Sequence, residues 1–200
     1  MPNPLMVFPI QAPVQHAPFD LMDTIFDRLH AADVTLQDGD VLAVSTKYTA
    51  IAEGRIVNLD DVEVSNQARD LSARYHIDAA IAQLVIQEAD HIFGGIEMGF
   101  LLTSNNGVIS PNAGLDRSNI PSGQVVLLPA DPYASADRIL QTVQDRAGCR
   151  IGVILTDSWL MPGRYGTTGV AVGTAGFNPI KDERGKLDLF GNPMAVTQVG

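Results

Sequence analysis

The order of helix-like and strand-like segments constrains the fold of this 200-residue chain more than any single motif. Apolar residues at helical spacing, often behind a polar N-cap, predict helices over residues 20–32, 65–75, 78–89 and 135–147. Short apolar runs between turn residues predict strands over residues 5–10, 40–47, 54–59, 100–103, 108–110, 124–128, 150–155, 170–175 and 194–197. The helices do not alternate strictly with the strands. We therefore expect an α+β or irregular α/β fold with a mixed, largely antiparallel sheet.

The composition favours one packed domain over residues 1–200. Hydrophobic residues make up 46% of the chain, which is enough to bury a core. No apolar run approaches the roughly 20 residues that cross a bilayer, and the N-terminus lacks the basic region of a signal peptide. The single cysteine, Cys149, excludes an internal disulfide and is typical of a reducing cytoplasm. We expect a cytoplasmic protein without a membrane span.

The charge balance argues against a nucleic-acid-binding surface. The formal net charge is −10, whereas unspecific binding to nucleic acid depends on basic residues that neutralise phosphates. An anionic nucleotide remains compatible with this balance if a metal ion and a few Arg or Lys residues bind it locally.

Two segments place a carboxylate where it can bind a metal ion. Residues 112–119 read Asn-Ala-Gly-Leu-Asp-Arg-Ser-Asn and include Asp116, and Asp157 follows an apolar run over residues 152–155. The four histidines are scattered, and there is no Walker loop. Oxygen ligands suit Mg²⁺ or Mn²⁺. The alternatives are a loop closed by its own polar side chains at residues 112–119, and a helix or turn cap at Asp157.

Three further segments have both a functional and a structural interpretation. Arg164 lies within ten residues of Asp157 and suits a phosphate, although a surface arginine explains it equally. The Ser-Thr-Lys segment at 45–47 either holds a phosphate or simply leaves a strand. The glycine-spaced segment over residues 166–176 indicates either close backbone packing or a ligand near the strand.

Taken together, these segments resemble the coenzyme F420-0:L-glutamate ligase (gamma-glutamyl ligase) family. The resemblance rests on Ala-Glu-Gly-Arg at 52–55, the segment 112–119, Leu-Leu-Pro-Ala-Asp-Pro at 127–132, Thr-Asp-Ser at 156–158 and the glycine-spaced segment, in that order. It extends over residues 7–198, which is nearly the whole chain.

The resemblance implies a GTP-dependent ligase. Such an enzyme joins the amino group of L-glutamate to the carboxylate of F420-0 and releases GDP and phosphate. The family implies a divalent metal, Mn²⁺ or Mg²⁺, with K⁺ as a further cation, and an intertwined homodimer.

The resemblance also assigns roles to individual residues. The family's metal ligands fall on Asp116, Asp157 and Ser158, and the catalytic group comprises Asp116, Asp157 and Arg164. The nucleotide contacts fall on or near Phe8, Pro9, Ile10, Gln11, Ser45, Thr46, Lys47 and Asn119.

Departures from the family pattern leave two alternatives open. Family members often continue for several tens of residues beyond position 198, so ending at Gly200 predicts a truncated or divergent form. Met161 replaces an arginine of the archetypal ligases, and Ile51 replaces a lysine of some members. An Asp-Ser pair as at 157–158 also occurs in paralogues. The alternatives are a ligase acting on a folate-like acceptor and a catalytically impaired homologue that binds nucleotide or metal.

Overall fold

The computed structural model of the chain describes residues 5–161 and 165–200. The α-helices in these ranges are α1 (Leu21–Ala31), α2 (Thr46–Ala52), α3 (Asn66–Tyr75), α4 (Ala79–Glu88) and α5 (Pro132–Ala147), and short 3-10 helices cover Leu59–Asp61 and Asn112–Gly114. Strands are β1 (Val41–Ser45), β2 (Ile56–Asn58), β3 (His91–Ile96), β4 (Phe100–Asn105), β5 (Val108–Pro111), β6 (Gln124–Val126), β7 (Gly152–Leu160), β8 (Thr167–Ala175), β9 (Lys181–Asp182) and β10 (Gln198–Val199).

The strands form several small sheets rather than one large one. In the sheet β1-β7-β8, β1 runs parallel to β7 and β8 runs antiparallel to it. The sheets β3-β4-β5, β2-β6 and β9-β10 are antiparallel throughout. The predicted α+β fold with mixed, largely antiparallel pairing is therefore confirmed.

Two hydrophobic clusters form most of the core. In the first, α5 packs on β7 and β8 through Ile139, Val143, Leu155 and Ala175. In the second, α3 and α4 pack against β4 and β6, with Val85 and Leu101 fully buried. Within the described residues, no helix is both long and apolar enough to cross a bilayer. The interpretation as a single domain over residues 1–200 stays a prediction.

Local capping chemistry explains where the helices begin. Asp20, Ser65 and Asp78 cap α1, α3 and α4. Of these three caps, the sequence predicted the one at Asp78. The predicted start of α5 at Ser135 is wrong, because Asp131 accepts the Ala134 N–H at 2.9 Å and the helix begins one turn earlier. The predicted end of this helix at residue 147 is confirmed, and Gly148 forms the C-cap with φ at +69°.

The β4–β5 hairpin joins two predicted strands, over 100–103 and 108–110, at an Asn-Gly pair. Asn106 and Gly107 adopt φ values of 51° and 77°, and the left-handed conformation at both turn positions matches the twist of the paired strands.

Other predictions fail where tertiary pairing decides the structure. Residues 5–10 are described but lie outside the strands, and Leu5, Met6 and Val7 remain 92%, 71% and 78% exposed because the described chain offers them no strand partner. The expected strand at 194–197 is wrong, since the short β10 begins at Gln198. The expected strand over 40–47 ends at Ser45, whose hydroxyl caps α2.

Candidate functional site

An open cleft of about 370 Å³ lies where β1 ends and α2 begins. Ser45, Lys47, Asp116, Asp157 and Ser158, all singled out from the sequence, line this cleft. The structure therefore brings together the two acidic segments and the Ser-Thr-Lys segment, which are distant along the chain.

Asp157 reaches the cleft through the pairing of β1 with β7. Ser45 pairs with Thr156, so Asp157 stands at the point where β1 leaves the sheet and turns into α2. The strand β7 continues to Leu160, so the prediction that the strand ends before Asp157 is wrong. A register shift between β7 and β8 lies beside it, at Leu155/Thr156, and irregularities of this kind re-aim nearby side chains.

Both carboxylate oxygens of Asp157 accept hydrogen bonds. The hydroxyl of Thr46 donates to Oδ2, and the backbone N–H of Ser158 donates to Oδ1 at 2.7 Å. Thr46 is fully buried, whereas the Asp157 side chain is partly exposed to the cleft. A buried donor thus holds the carboxylate, while part of the Asp157 side chain stays accessible from the cleft.

A left-handed turn precedes Asp116, which lines the same cleft. Asn112, Ala113 and Gly114 have φ values of 49°, 54° and 74°, a conformation that costs L-residues energy. Asn112 compensates by accepting the Leu101 N–H at 2.8 Å, and the Ala113 N–H donates to the Thr103 hydroxyl at 2.9 Å. Asn112 therefore acts as the loop interpretation expects. Asp116 fits both interpretations, because its Oδ1 accepts the Ser118 N–H at 2.7 Å while the residue also lines the cleft.

Two contacts fix the chain on either side of Leu115. A Cβ added at Gly114 would lie 2.7 Å from Leu128 Cδ1, so the backbone approaches closer than another residue allows. Asp116 and Val126 exchange backbone hydrogen bonds of 2.9 Å in both directions. The Asp116 backbone is therefore tied to the strand β6.

Lys47 forms an ion pair with Asp116 inside the cleft. Its Nζ lies 2.7 Å from Asp116 Oδ2, 2.8 Å from the Ser118 hydroxyl and 2.9 Å from the Ser118 carbonyl oxygen. Burial acts most strongly and raises the pKa of the Asp116 carboxyl, but the donors of Lys47 and Ser118 together outweigh it. The pKa consequently lies below its ordinary value of 3.8, and Asp116 is ionised at neutral pH.

The donor set of the cleft fits a hard divalent cation that keeps part of its water shell. Asp116 and Asp157 supply carboxylates, and Ser158 supplies a hydroxyl. Among residues 5–161 and 165–200, no three His, Cys, Asp or Glu side chains cluster as a metal site. Mg²⁺ is commonly bound through one or two carboxylates, with water and substrate phosphates completing its coordination. Two carboxylates and a hydroxyl match that mode.

Several other predicted site residues are not part of the cleft lining. The cleft lining does not include Phe8, Pro9, Ile10, Gln11 or Asn119. Arg164 lies outside the described residues, so its role stays a prediction.

The Ala-Glu-Gly-Arg segment joins structural elements. Glu53 accepts hydrogen bonds from Ser135 at 2.5 Å and Arg138 at 2.6 Å, which joins the end of α2 to α5. Arg55 donates to the Leu128 carbonyl at 3.0 Å and pairs with Glu88 at 2.5 Å. Sequence reasoning missed these roles because each partner is distant along the chain.

The glycine-spaced segment serves close packing at two positions. A Cβ at Gly173 would lie 2.5 Å from the Pro132 carbonyl oxygen at the start of α5. A Cβ at Gly176 would clash with the Ile151 carbonyl oxygen, and Gly176 has φ +84°. These contacts favour the packing interpretation over a ligand at both glycines.

Comparison with known proteins adds evidence from outside the structure. The model of the F420-0:Gamma-glutamyl ligase family matches residues 9–200. The chain is 33% identical to the coenzyme F420:L-glutamate ligase of Methanothermobacter thermautotrophicus, over 94% of this chain and 74% of that protein. Proteins of the same name from Methanopyrus kandleri and Archaeoglobus fulgidus are 36% and 35% identical, over 86% and 96% of this chain and 68% and 75% of theirs.

Proposed function

The chain belongs to the F420-0:gamma-glutamyl ligase family, and from this premise we propose that it forms an amide between L-glutamate and the carboxylate of coenzyme F420-0. The structural observation that supports this most directly is that two carboxylates, Asp116 and Asp157, line the same cleft. A ligase needs such a pair because its substrates are anionic, and a cation has to bring them together.

The proposed reaction uses GTP to activate the acceptor. A carboxylate is a poor acyl donor, so an oxygen of the F420-0 carboxylate attacks the γ-phosphorus of GTP and GDP leaves. The amino group of L-glutamate then attacks the acyl carbon, phosphate leaves, and the nitrogen loses a proton. Such phosphoryl transfer depends mainly on positioning and charge, so we assign no protein nucleophile.

The residues of the cleft would then have distinct tasks. Asp116, Asp157 and Ser158 would hold Mn²⁺ or Mg²⁺, which when bound reduces the repulsion between the phosphate and the attacking carboxylate. Lys47 would stabilise the phosphate only after exchanging one of its present acceptors, because Asp116 and Ser118 engage its ammonium group. K⁺ as a further cation and Arg164 as a phosphate ligand belong to the same proposal.

The other nucleotide contacts are proposed from the family resemblance. They comprise Ser45, which lines the cleft, and Phe8, Pro9, Ile10, Gln11 and Asn119, which do not. The exposed apolar side chains of residues 5–8 support an assembled homodimer, in which a partner covers them.

A mass-spectrometric ligation assay tests the proposal. Purified protein is incubated with GTP, Mn²⁺, L-glutamate and F420-0, and we expect a product heavier by one glutamyl unit together with GDP. Asp116→Asn and Asp157→Asn should abolish the product while the protein stays folded. Asp38→Asn is the matched control, because Asp38 forms an exposed pair with Arg150 and does not line the cleft.

Other outcomes of this assay would refute the proposed function. Ligation to a folate-like acceptor but not to F420-0 would identify a paralogous ligase. Metal-dependent GTP binding without any product would identify an impaired homologue. Normal activity in both Asp variants would refute the assignment of the cleft.

A further inference from the structure

The environment of Thr46 differs from that of a ligand contact. The family resemblance places Thr46 among the nucleotide contacts, but its relative exposure is 0% and it does not line the cleft. Its hydroxyl donates instead to Asp157 Oδ2. We propose that Thr46 is a positioning residue that fixes the Asp157 carboxylate for cation binding. This inference rests on the proposed function of the cleft.

The fold leaves Thr46 little freedom to do anything else. It is the first residue of α2 and directly follows Ser45, which pairs with Thr156 in the parallel ladder. Its branched side chain is restricted at χ1, and the surrounding core excludes solvent. The hydroxyl is therefore presented to Asp157 from a fixed point.

Asp157 needs such a partner because its own side chain does not define the orientation of its carboxylate. The terminal torsion of an aspartate is broad, so neighbouring donors decide how the two oxygens are directed. Ser158 N–H holds Oδ1 and Thr46 holds Oδ2. Each oxygen retains acceptor capacity for a cation, and a hydrogen bond to an ionised carboxylate is among the stronger kinds.

Partners that hydrogen-bond a metal ligand from outside tune its affinity. Removing one typically lowers metal affinity or activity by about 10- to 100-fold. We therefore expect Thr46→Val, which replaces the hydroxyl by a methyl group of similar size, to weaken Mn²⁺ binding by about this factor. Thr46→Ser retains the donor and should stay within about threefold of the native chain.

The test measures Mn²⁺ binding to the full chain without turnover. Loss of the electron paramagnetic resonance signal of free Mn²⁺ on binding gives the affinity in the presence of a non-hydrolysable GTP analogue. Thr49→Val is the matched control. Thr49 is also a buried threonine of α2, but its hydroxyl donates to the Ser45 carbonyl at 3.1 Å and not to Asp157.

A second measurement separates positioning from nucleotide contact. At saturating Mn²⁺, the affinity of Thr46→Val for the GTP analogue should return to within about twofold of the native value. An affinity that stays weak at saturating Mn²⁺ would show a direct nucleotide contact and overturn the inference. If Thr46→Val does not fold, Thr46→Ala and Thr46→Ser replace it, because both lose the methyl group and only Ala loses the donor.

A failure of the role proposed for Thr46 can be distinguished from a failure of the proposed cation site. Equal Mn²⁺ affinity in the native chain and in Thr46→Val, or in the Ala and Ser variants, overturns the role of Thr46 and leaves the proposed ligase intact. A native chain that takes up no Mn²⁺ removes the proposed cation site and the inference with it.

Discussion

Replacing Gly114 by alanine tests whether the left-handed turn holds the Asp116 segment in place. The substitution lowers the free energy of unfolding for two reasons, one from the backbone conformation and one from packing. Gly114 has φ +74°, and a left-handed conformation costs an L-residue about 1–2 kcal/mol. The added Cβ would also lie 2.7 Å from Leu128 Cδ1 and 2.8 Å from Leu128 Cγ, and such overpacking typically costs about 1–3 kcal/mol. The expected loss of stability is therefore about 2–5 kcal/mol.

Thermal unfolding followed by circular dichroism measures this loss. For a chain of this size, 1 kcal/mol lowers Tm by about 2–4 °C, so Gly114→Ala should lower Tm by about 4–20 °C. Gly107→Ala is the matched control, because Gly107 has nearly the same φ, +77°, but no atom within 4 Å of an added Cβ. The control carries only the conformational cost and should lower Tm by about 2–8 °C.

The comparison of the two glycines decides the outcome. Because they share the backbone cost, any difference between their Tm values reports the contact with Leu128. Equal shifts would refute the claim that close packing against Leu128 determines the turn. If Gly114→Ala lowers Tm by the expected amount, the variant should also bind Mn²⁺ more weakly, because the Asp116 carboxylate lies two residues after the disturbed turn.

Two further predictions concern charged residues of the proposed site. The pKa of Asp116 is lowered from 3.8, so its contribution to stability is complete above pH 3.8 and is lost as the pH falls through the lower folded-state pKa. The free energies of urea unfolding of the native chain and of Asp116→Asn should therefore differ at pH 7 and converge as the pH falls from 3.8 through the lowered pKa. A difference that stays constant over this range would contradict the pairing with Lys47. Arg164→Ala should raise the Michaelis constant for GTP or for the acceptor. Arg164→Lys should restore little of the loss because a lysine lacks the planar fork, and unchanged constants in both variants would exclude a phosphate role.

Local chemistry accounts for the parts of the fold that the sequence predicts. Asp20 and Asp78 cap helices through contacts within a few residues, and Asn106-Gly107 sets a hairpin by its own backbone preference. These signals depend little on the rest of the chain. Elements that depend on distant partners were not predictable: β3 contains Gly94 and Gly95 and is defined by its pairing with β4.

In the candidate site, too, local features could be predicted from the sequence and contacts between distant residues could not. Two acidic segments could be recognised from residue type and from the turn or strand around them, and both line the cleft. The partners of those carboxylates could not be recognised. The bond from Thr46 to Asp157 and the ion pair of Lys47 with Asp116 exist only because β1 pairs with β7 and the 112–119 segment folds back on α2.

The turn at residues 112–114 limits what similarity to a family says about the substrate. Asn112 is needed because its side chain accepts a hydrogen bond from a backbone N–H, and Ala113 because its side chain is fully buried. Gly114 is needed because the side chain of Leu128 lies too close for an added Cβ. None of these requirements concerns the substrate. A relative that keeps these three residues keeps the turn that positions the Asp116 carboxylate. The same turn can serve enzymes with different acceptors. Changes of specificity in such proteins should therefore be sought around the turn and not within it.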